Sequence, residues 1–303
     1  MKKNTNYFNN VSIKQHNTMD YFLDMPQEFT NYERANFVIL PVPYDGTSTF
    51  IKGADKGPQA IIDASDSIEL YDVEEDIEIY TKGIHTAPPI RANESPEAMI
   101  SAVYNDVNKF IQDGKIVILF GGEHSVSLGS IQAHAEKYQD LCVLQLDAHA
   151  DLREEYHNSI YNHACVMHRA QQIAKVVQVG IRNVCIEEKE FIRPDAIFYA
   201  HQMRHNNAWM DKAINQLSNH VYLTIDLDCF DPSILPSTGT PLPGGMNWWQ
   251  VLDFIEKVNQ TKTIVGFDVV ELCPNPTEKS SDVLAAVLTY KILTKIAKKR
   301  LNL

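Results

Sequence analysis

The side chains able to do chemistry in this 303-residue chain collect behind four short apolar runs. IVILF (116–120) leads into Gly121-Gly122-Glu123-His124, and LCVLQL (141–146) into Asp147-Ala148-His149-Ala150-Asp151. VYLTI (221–225) leads into Asp226-Leu227-Asp228, and the run that starts TIVGF (263–267) reaches Glu271. Side chains alternate with a period of two along an extended chain, so Asp147, His149 and Asp151 share one side as their strand ends, as do Asp226 and Asp228. An unpaired carboxylate in a core costs several kcal/mol, so four aspartates at strand ends call for cations between them. Metal ions fit that need. Four carboxylates and two imidazoles without a thiolate are too oxygen-rich for structural zinc; they favour Mn²⁺, with Mg²⁺, Co²⁺ or Ni²⁺ behind it. Two carboxylates bridging a metal pair at roughly 3.5 Å would leave the charges nearly balanced but net negative once a hydroxide binds, which suits a cationic substrate.

The elements that must position these residues follow from the rest of the pattern. NFVILPV (36–42), VVQVG (176–180) and AIFYA (196–200) join the four runs above as buried parallel strands. Helical spacing occupies 96–112, 126–137, 208–218, 247–258 and 281–299. Strand and helix alternate, which predicts an α/β fold of three layers, α/β/α, around a doubly wound, mainly parallel sheet with right-handed crossovers. In such sheets ligands bind beyond the carboxyl ends of the strands, where the acids and histidines lie. Gly121-Gly122 lacks the spacing and lysine of a phosphate loop and is expected to let the backbone turn sharply beside the metals. No composition break marks a second domain, so a polar N-terminal extension (1–35) and a single catalytic domain (36–303) are expected.

Composition narrows the function classes. The 27 Lys and Arg against 39 Asp and Glu give a net charge of −12, which argues against nucleic acid and anionic membrane as partners. The first twenty residues never reach the roughly 7–15 apolar residues of a secretion signal, and no stretch approaches the ~20 needed to span a bilayer, so a cytoplasmic protein is expected. The five cysteines, with no Cys-x-x-Cys pair, read as core thiols of a reducing compartment. The acidic run DVEEDIE (72–78) reads as a solvated face, and Lys295, Lys298, Lys299 and Arg300 as the basic last turns of a helix.

GGEHSVSLG (121–129), DAHADLREEY (147–156), NHACVMHR (162–169), TIDLDCFDPS (224–233) with GTPLPGG (239–245), and DVVEL (268–272) resemble, in order, the motif set of the ureohydrolases, the manganese enzymes that include arginase and agmatinase. The match runs from about residue 37 to the C-terminal helix, and LREEYHNSIYNHACVM most resembles agmatinase. The resemblance implies two Mn²⁺ per subunit, one held by His124 and Asp151, the other by His149 and Asp228, with Asp147 and Asp226 bridging. It also implies His163 as the proton-shuttling histidine and Glu271 as the carboxylate that grips the guanidinium. Tyr156 and Asn162 are expected at the rim of the substrate pocket, and Arg153 beside the substrate tail if it points inward. His168 stands where agmatinases often show arginine, Cys165 and Cys229 lie near site residues, and Trp248 with Trp249 reads as a helix-start packing pair.

The implied reaction is hydrolysis of agmatine to putrescine and urea, a step of polyamine biosynthesis. A guanidinium is resonance-stabilised, so attack at its carbon needs a hydroxide that metal ions make available at neutral pH. A carboxylate-tailed guanidino compound such as 4-guanidinobutyrate or 3-guanidinopropionate is the nearest alternative, followed by a catalytically silent relative and a dinuclear phosphoesterase. The family forms trimers and hexamers, so a homo-oligomer is expected.

Overall fold

The computed structural model describes residues 21–303; the part of the expected N-terminal extension at 1–20 lies outside them. Every apolar run named above forms a strand. Among the described residues, β1 (Phe37–Val42), β2 (Ile84–Thr86), β3 (Ile116–Gly121), β4 (Leu141–Leu146), β5 (Lys175–Ile181), β6 (Ile197–Tyr199), β7 (His220–Asp226) and β8 (Thr263–Val270) build one sheet in the order β2-β1-β3-β8-β7-β4-β5-β6. All neighbouring strands run parallel. The crossovers carry α1 (Gly57–Ser65), α2 (Pro96–Gln112), α3 (Ser127–Lys137), α4 (Val166–Gln171), α5 (Ala200–Met203), α6 (Ala208–Gln216), α7 (Trp248–Thr261) and α8 (Ser280–Leu301).

Alternation along the strands divides the core into two. Phe37 and Ile39 of β1 pack with Ile61 and Ile62 of α1 and with the apolar faces of α6, α7 and α8. Val38, Leu40 and Val42 turn the other way, onto α2, α3 and α4. A parallel sheet covered on both faces must be apolar on both, which is why these strands read as continuous apolar runs. Helix starts are built locally: Ser95 Oγ accepts from the Ala98 N–H with Pro96 in the first turn, and Asn247 and Gln250 form a reciprocal capping pair ahead of α7.

One expectation changes, and one is made specific. The acidic run is not a freely solvated face: Lys291 Nζ lies 2.7 Å from Asp72, and Lys295 and Lys298 each lie 2.8 Å from Glu75. Lys295 also reaches Glu256 at 3.0 Å, so one face of α8 is clamped to the 72–75 loop and α7. Periodicity assigned each charge run its own face and could not see that the two faces meet. The N-terminal segment also enters the body: Phe22 is fully buried, its ring edge-on to Phe120 at 5.3 Å, and its N–H donates to Thr86 Oγ1 at 2.9 Å. Burying such a side chain contributes about 1.5–3 kcal/mol, so residues 21–35 belong to the packed unit. Among the described residues, no helix is long and apolar enough to cross a membrane.

Candidate metal centre

The four strands that carry the reactive sequences, β3, β8, β7 and β4, are consecutive in the sheet, so their carboxyl ends converge. His124 Nδ1 lies 3.1 Å from Asp147 Oδ2, 3.2 Å from Asp151 Oδ2 and 3.4 Å from Asp226 Oδ2. His149 Nδ1 lies 2.9 Å from Asp228 Oδ2 and 3.6 Å from Asp147 Oδ1. Ligand atoms of His124, Asp147 and Asp226 fall within 4.8 Å of one another, as do those of Asp147, His149 and Asp228. Asp147 is common to both groups. Asp151 joins through its contact with His124, and Asp226 enters only the first group.

The donor set fits metal ions. All four aspartates are buried, and among the described residues no lysine or arginine side chain pairs with them. His124 Nδ1 is buried without a hydrogen bond although three carboxylates surround it. Its other nitrogen, Nε2, lies 2.8 Å from Thr224 Oγ1, whose single proton goes to Asp268 Oδ1 at 2.7 Å, so Nε2 is a donor, and Nδ1, which Asp147, Asp151 and Asp226 raise against burial, is left to hold a proton or a metal ion among the carboxylates.

Burial dominates the electrostatics. It pushes Asp151 up to about 7, with the charge of Asp147 adding to the shift. Asp226 goes well above the carboxylate range for the same reason, helped by Asp228 and Asp147. Burial alone would lower His149, yet Asp228 and Asp147 beside it raise it to about 12. Asp151 and Asp226, crowded out of water beside other acids, therefore bind positive charge strongly, as protons or as metal ions.

The backbone is bent to make this arrangement. Asp151 (φ 53°) and Glu271 (φ 66°) occupy the left-handed region, which costs roughly 1–2 kcal/mol per non-glycine residue. The Asp151 carbonyl accepts from the N–H groups of Met167 and His168, and the Glu271 N–H donates to Gly122 O at 2.7 Å. The chain bends at Gly122 as β3 ends, and neither Gly121 nor Gly122 needs a positive φ to do so. They are small because neighbours press on them: a Cβ on Gly122 would meet Tyr44 O at 2.0 Å, and one on Gly121 would meet Val126 Cγ2 at 2.4 Å.

A cavity of about 200 Å³ opens over the carboxylates, and Arg153, Tyr156, His163 and Glu271 line it. Glu271 Oε1 accepts the His124 N–H at 2.8 Å. Thr47 Oγ1 accepts the His163 N–H at 2.9 Å, donates to Glu123 Oε1 at 2.9 Å and lies 3.2 Å from His163 Nδ1. Burial, then the charges of His149 and His124, push His163 down to about 4, while burial pushes Glu123 up to about 7. The Arg153 guanidinium lies 4.5 Å over the Tyr156 ring.

Asn162 does not reach the rim. It is 2% exposed, and its Oδ1 accepts the Ala164 N–H at 3.1 Å, capping the turn that carries His163. His168 faces away from the cavity, packing on Phe191 at 4.3 Å and bonding Leu152 O at 3.0 Å. Cys165 and Cys229 are buried thiols, and Trp248 packs on the core while Trp249 is exposed. Sequence reasoning missed Thr47 and the wall formed by Ser48 to Ile51, because residues 47–51 themselves carry no acid, histidine or apolar period. It also passed over Thr224 and Asp268, although each is a polar residue inside the buried part of a strand and so carried a signal.

Comparison with known proteins gives an independent view. The model of the arginase family matches residues 35–294. The N(1)-aminopropylagmatine ureohydrolase of a Synechocystis species is 36% identical over 90% of this chain and 94% of its own. The agmatinase of Pyrococcus horikoshii is 32% identical over 89% and 95%. Among solved structures, agmatine ureohydrolase of Thermoplasma volcanium superposes with a TM-score of 0.82 at 31% identity, covering 91% of this chain and 95% of its own.

Proposed function

The chain belongs to the arginase family of ureohydrolases, and we propose that it is a two-metal hydrolase that releases urea from the guanidino group of agmatine, leaving putrescine. The observation that carries this reading is Asp147, shared by two acid-histidine groups at neighbouring strand ends. His124 and Asp151 would hold one ion, His149 and Asp228 the other, with Asp147 and Asp226 between them. The oxygen-rich donor set favours Mn²⁺. Bound there, the ions would neutralise the carboxylates and make water acidic enough to act as a nucleophile at neutral pH.

The remaining steps belong to the chain. Glu271, one oxygen fixed by the His124 N–H, pairs with the guanidinium and holds its carbon over the carboxylates. Water adds to that carbon, the bond to the alkylated nitrogen breaks, and a proton must reach the departing amine. His163, neutral and anchored through Thr47, carries that proton. The negative charge of the site and of the whole protein draws in a polycation.

A second reading has its own support: the Synechocystis relative and another from Thermus thermophilus, 38% identical, both carry the name N(1)-aminopropylagmatine ureohydrolase. That substrate has the same guanidino group and a longer cationic tail. A carboxylate tail keeps a cation to meet it, because Arg153 lines the cavity with its guanidinium over Tyr156. Urea release from agmatine, N1-aminopropylagmatine, arginine and 4-guanidinobutyrate at equal concentration, with Mn²⁺-loaded protein, tests these readings. The highest kcat/KM on agmatine supports the first and on its aminopropyl derivative the second; preference for 4-guanidinobutyrate sinks both.

A further inference from the structure

Two glutamines stand inside otherwise apolar strands, Gln145 in β4 and Gln178 in β5, and the sheet register sets them side by side. Both are buried, at 0% and 3% exposure, where an amide must find partners for all its polar atoms. They find them in one directed chain. Gln178 Nε2 donates to Gln145 Oε1 at 2.6 Å and to the Ala150 carbonyl at 2.6 Å. Gln145 Nε2 donates to Asp147 Oδ2 at 2.7 Å and to the His149 carbonyl at 3.3 Å. The polarity is fixed. With its oxygen occupied by Gln178, Gln145 can only present N–H groups to Asp147; reversed, its oxygen would face a carboxylate oxygen.

We infer that Gln145, oriented by Gln178, is a positioning residue that fixes Asp147 at the corner shared by the two acid-histidine groups. Gln145 takes one lone pair of Oδ2, the oxygen that faces His124 at 3.1 Å. The His149 N–H takes one of Oδ1 at 2.5 Å, so both oxygens are held from outside and keep their other lone pairs toward the histidines. The same two glutamines hold the His149 and Ala150 carbonyls, and so the turn that places His149 and Asp151. Gln178 touches neither an aspartate nor a histidine side chain of the site, so its influence must pass through Gln145 and this turn.

The inference rests on the proposed metal site, and its test separates the two. Metal-free parent protein, Gln145→Met, Gln178→Met and the double variant are titrated with Mn²⁺ by calorimetry, and each metal-free form is unfolded in denaturant. The parent binding two ions establishes the site, and a parent that binds none overturns the site and the inference together. With the site established, Gln145→Met weakens binding tenfold or more, in line with removal of a partner that holds a metal-binding side chain. Gln178→Met weakens it at least threefold, and the double variant loses less than the product of the two single losses, because Gln178 acts in part through Gln145. A purely structural role would lower the unfolding midpoints and leave the Mn²⁺ affinities unchanged. Unchanged affinity in Gln178→Met, or losses that multiply in the double variant, overturns the inference even if Gln145→Met fails to fold.

Discussion

Gly122→Ala tests whether strand packing places the metal-binding residues. The added Cβ would lie 2.0 Å from the Tyr44 carbonyl oxygen, where ordinary contact begins at 3.4 Å, so backbone must part by about 1.4 Å. Neither side yields easily. The Tyr44 carbonyl accepts the Glu123 N–H at 2.9 Å, and Gly122 itself bonds Val42 O at 2.9 Å and the Glu271 N–H at 2.7 Å. Overpacking a tight interior costs about 1–3 kcal/mol, and losing one backbone hydrogen bond adds about 1, so the variant should lose about 2–4 kcal/mol. That is a large part of the roughly 5–15 kcal/mol that holds a domain together. The same shift moves His124 and Glu271, which flank the glycine in sequence and in space, so Mn²⁺ binding should weaken as well. Guanidinium unfolding of the metal-free protein gives the first quantity and calorimetric titration the second. A variant within about 0.5 kcal/mol of the parent, with the same Mn²⁺ affinity, would refute the claim that this contact sets the site.

Three further outcomes follow from the electrostatics. Asp151 and Asp226 have raised values and His149 rises to about 12, so these groups hold protons at neutral pH that metal must displace. Mn²⁺ affinity should rise from pH 6 to pH 8 with protons released on binding, and pH-independent binding without release would contradict this. Asp226→Asn should abolish nearly all urea release while the metal-free fold survives, since the metal-free carboxyl already holds a proton and the amide keeps its size; an active variant with the parent's metal content would refute two-metal catalysis. His134 is fully buried and pushed by burial down to about 4, below its unfolded value near 6.5. Its contribution is complete above pH 6.5 and is lost as pH falls toward 4, about 2 kcal/mol by pH 5, and His134→Asn should lose that acid sensitivity.

The strand-end chemistry was legible because each acid and histidine directly follows a buried apolar run, and a parallel sheet collects such ends along one edge. The sequence therefore named His124, Asp147, His149, Asp151, Asp226 and Asp228 before any contact was known, and the fold brings them together. α2 was placed to the residue by Ser95, Pro96 and its apolar stripe. The three-residue β2 and the six-residue α4 are too short for periodicity, and α1 opens on Gly57-Pro58, which reads as a turn. Asn162 was assigned to the rim because nearness in sequence stood in for direction, while its side chain turns back to cap its own turn. The role of Thr47 depends on a contact across 116 residues, and no local pattern encodes that.

Stepwise addition of Mn²⁺ to metal-free protein, with bound metal and urea release from agmatine followed together, tests the central claim most directly. Two ions should bind per chain, and urea release should rise steeply only as the second site fills. Full activity with one ion bound, or none from agmatine or its aminopropyl derivative with both in place, would contradict the account.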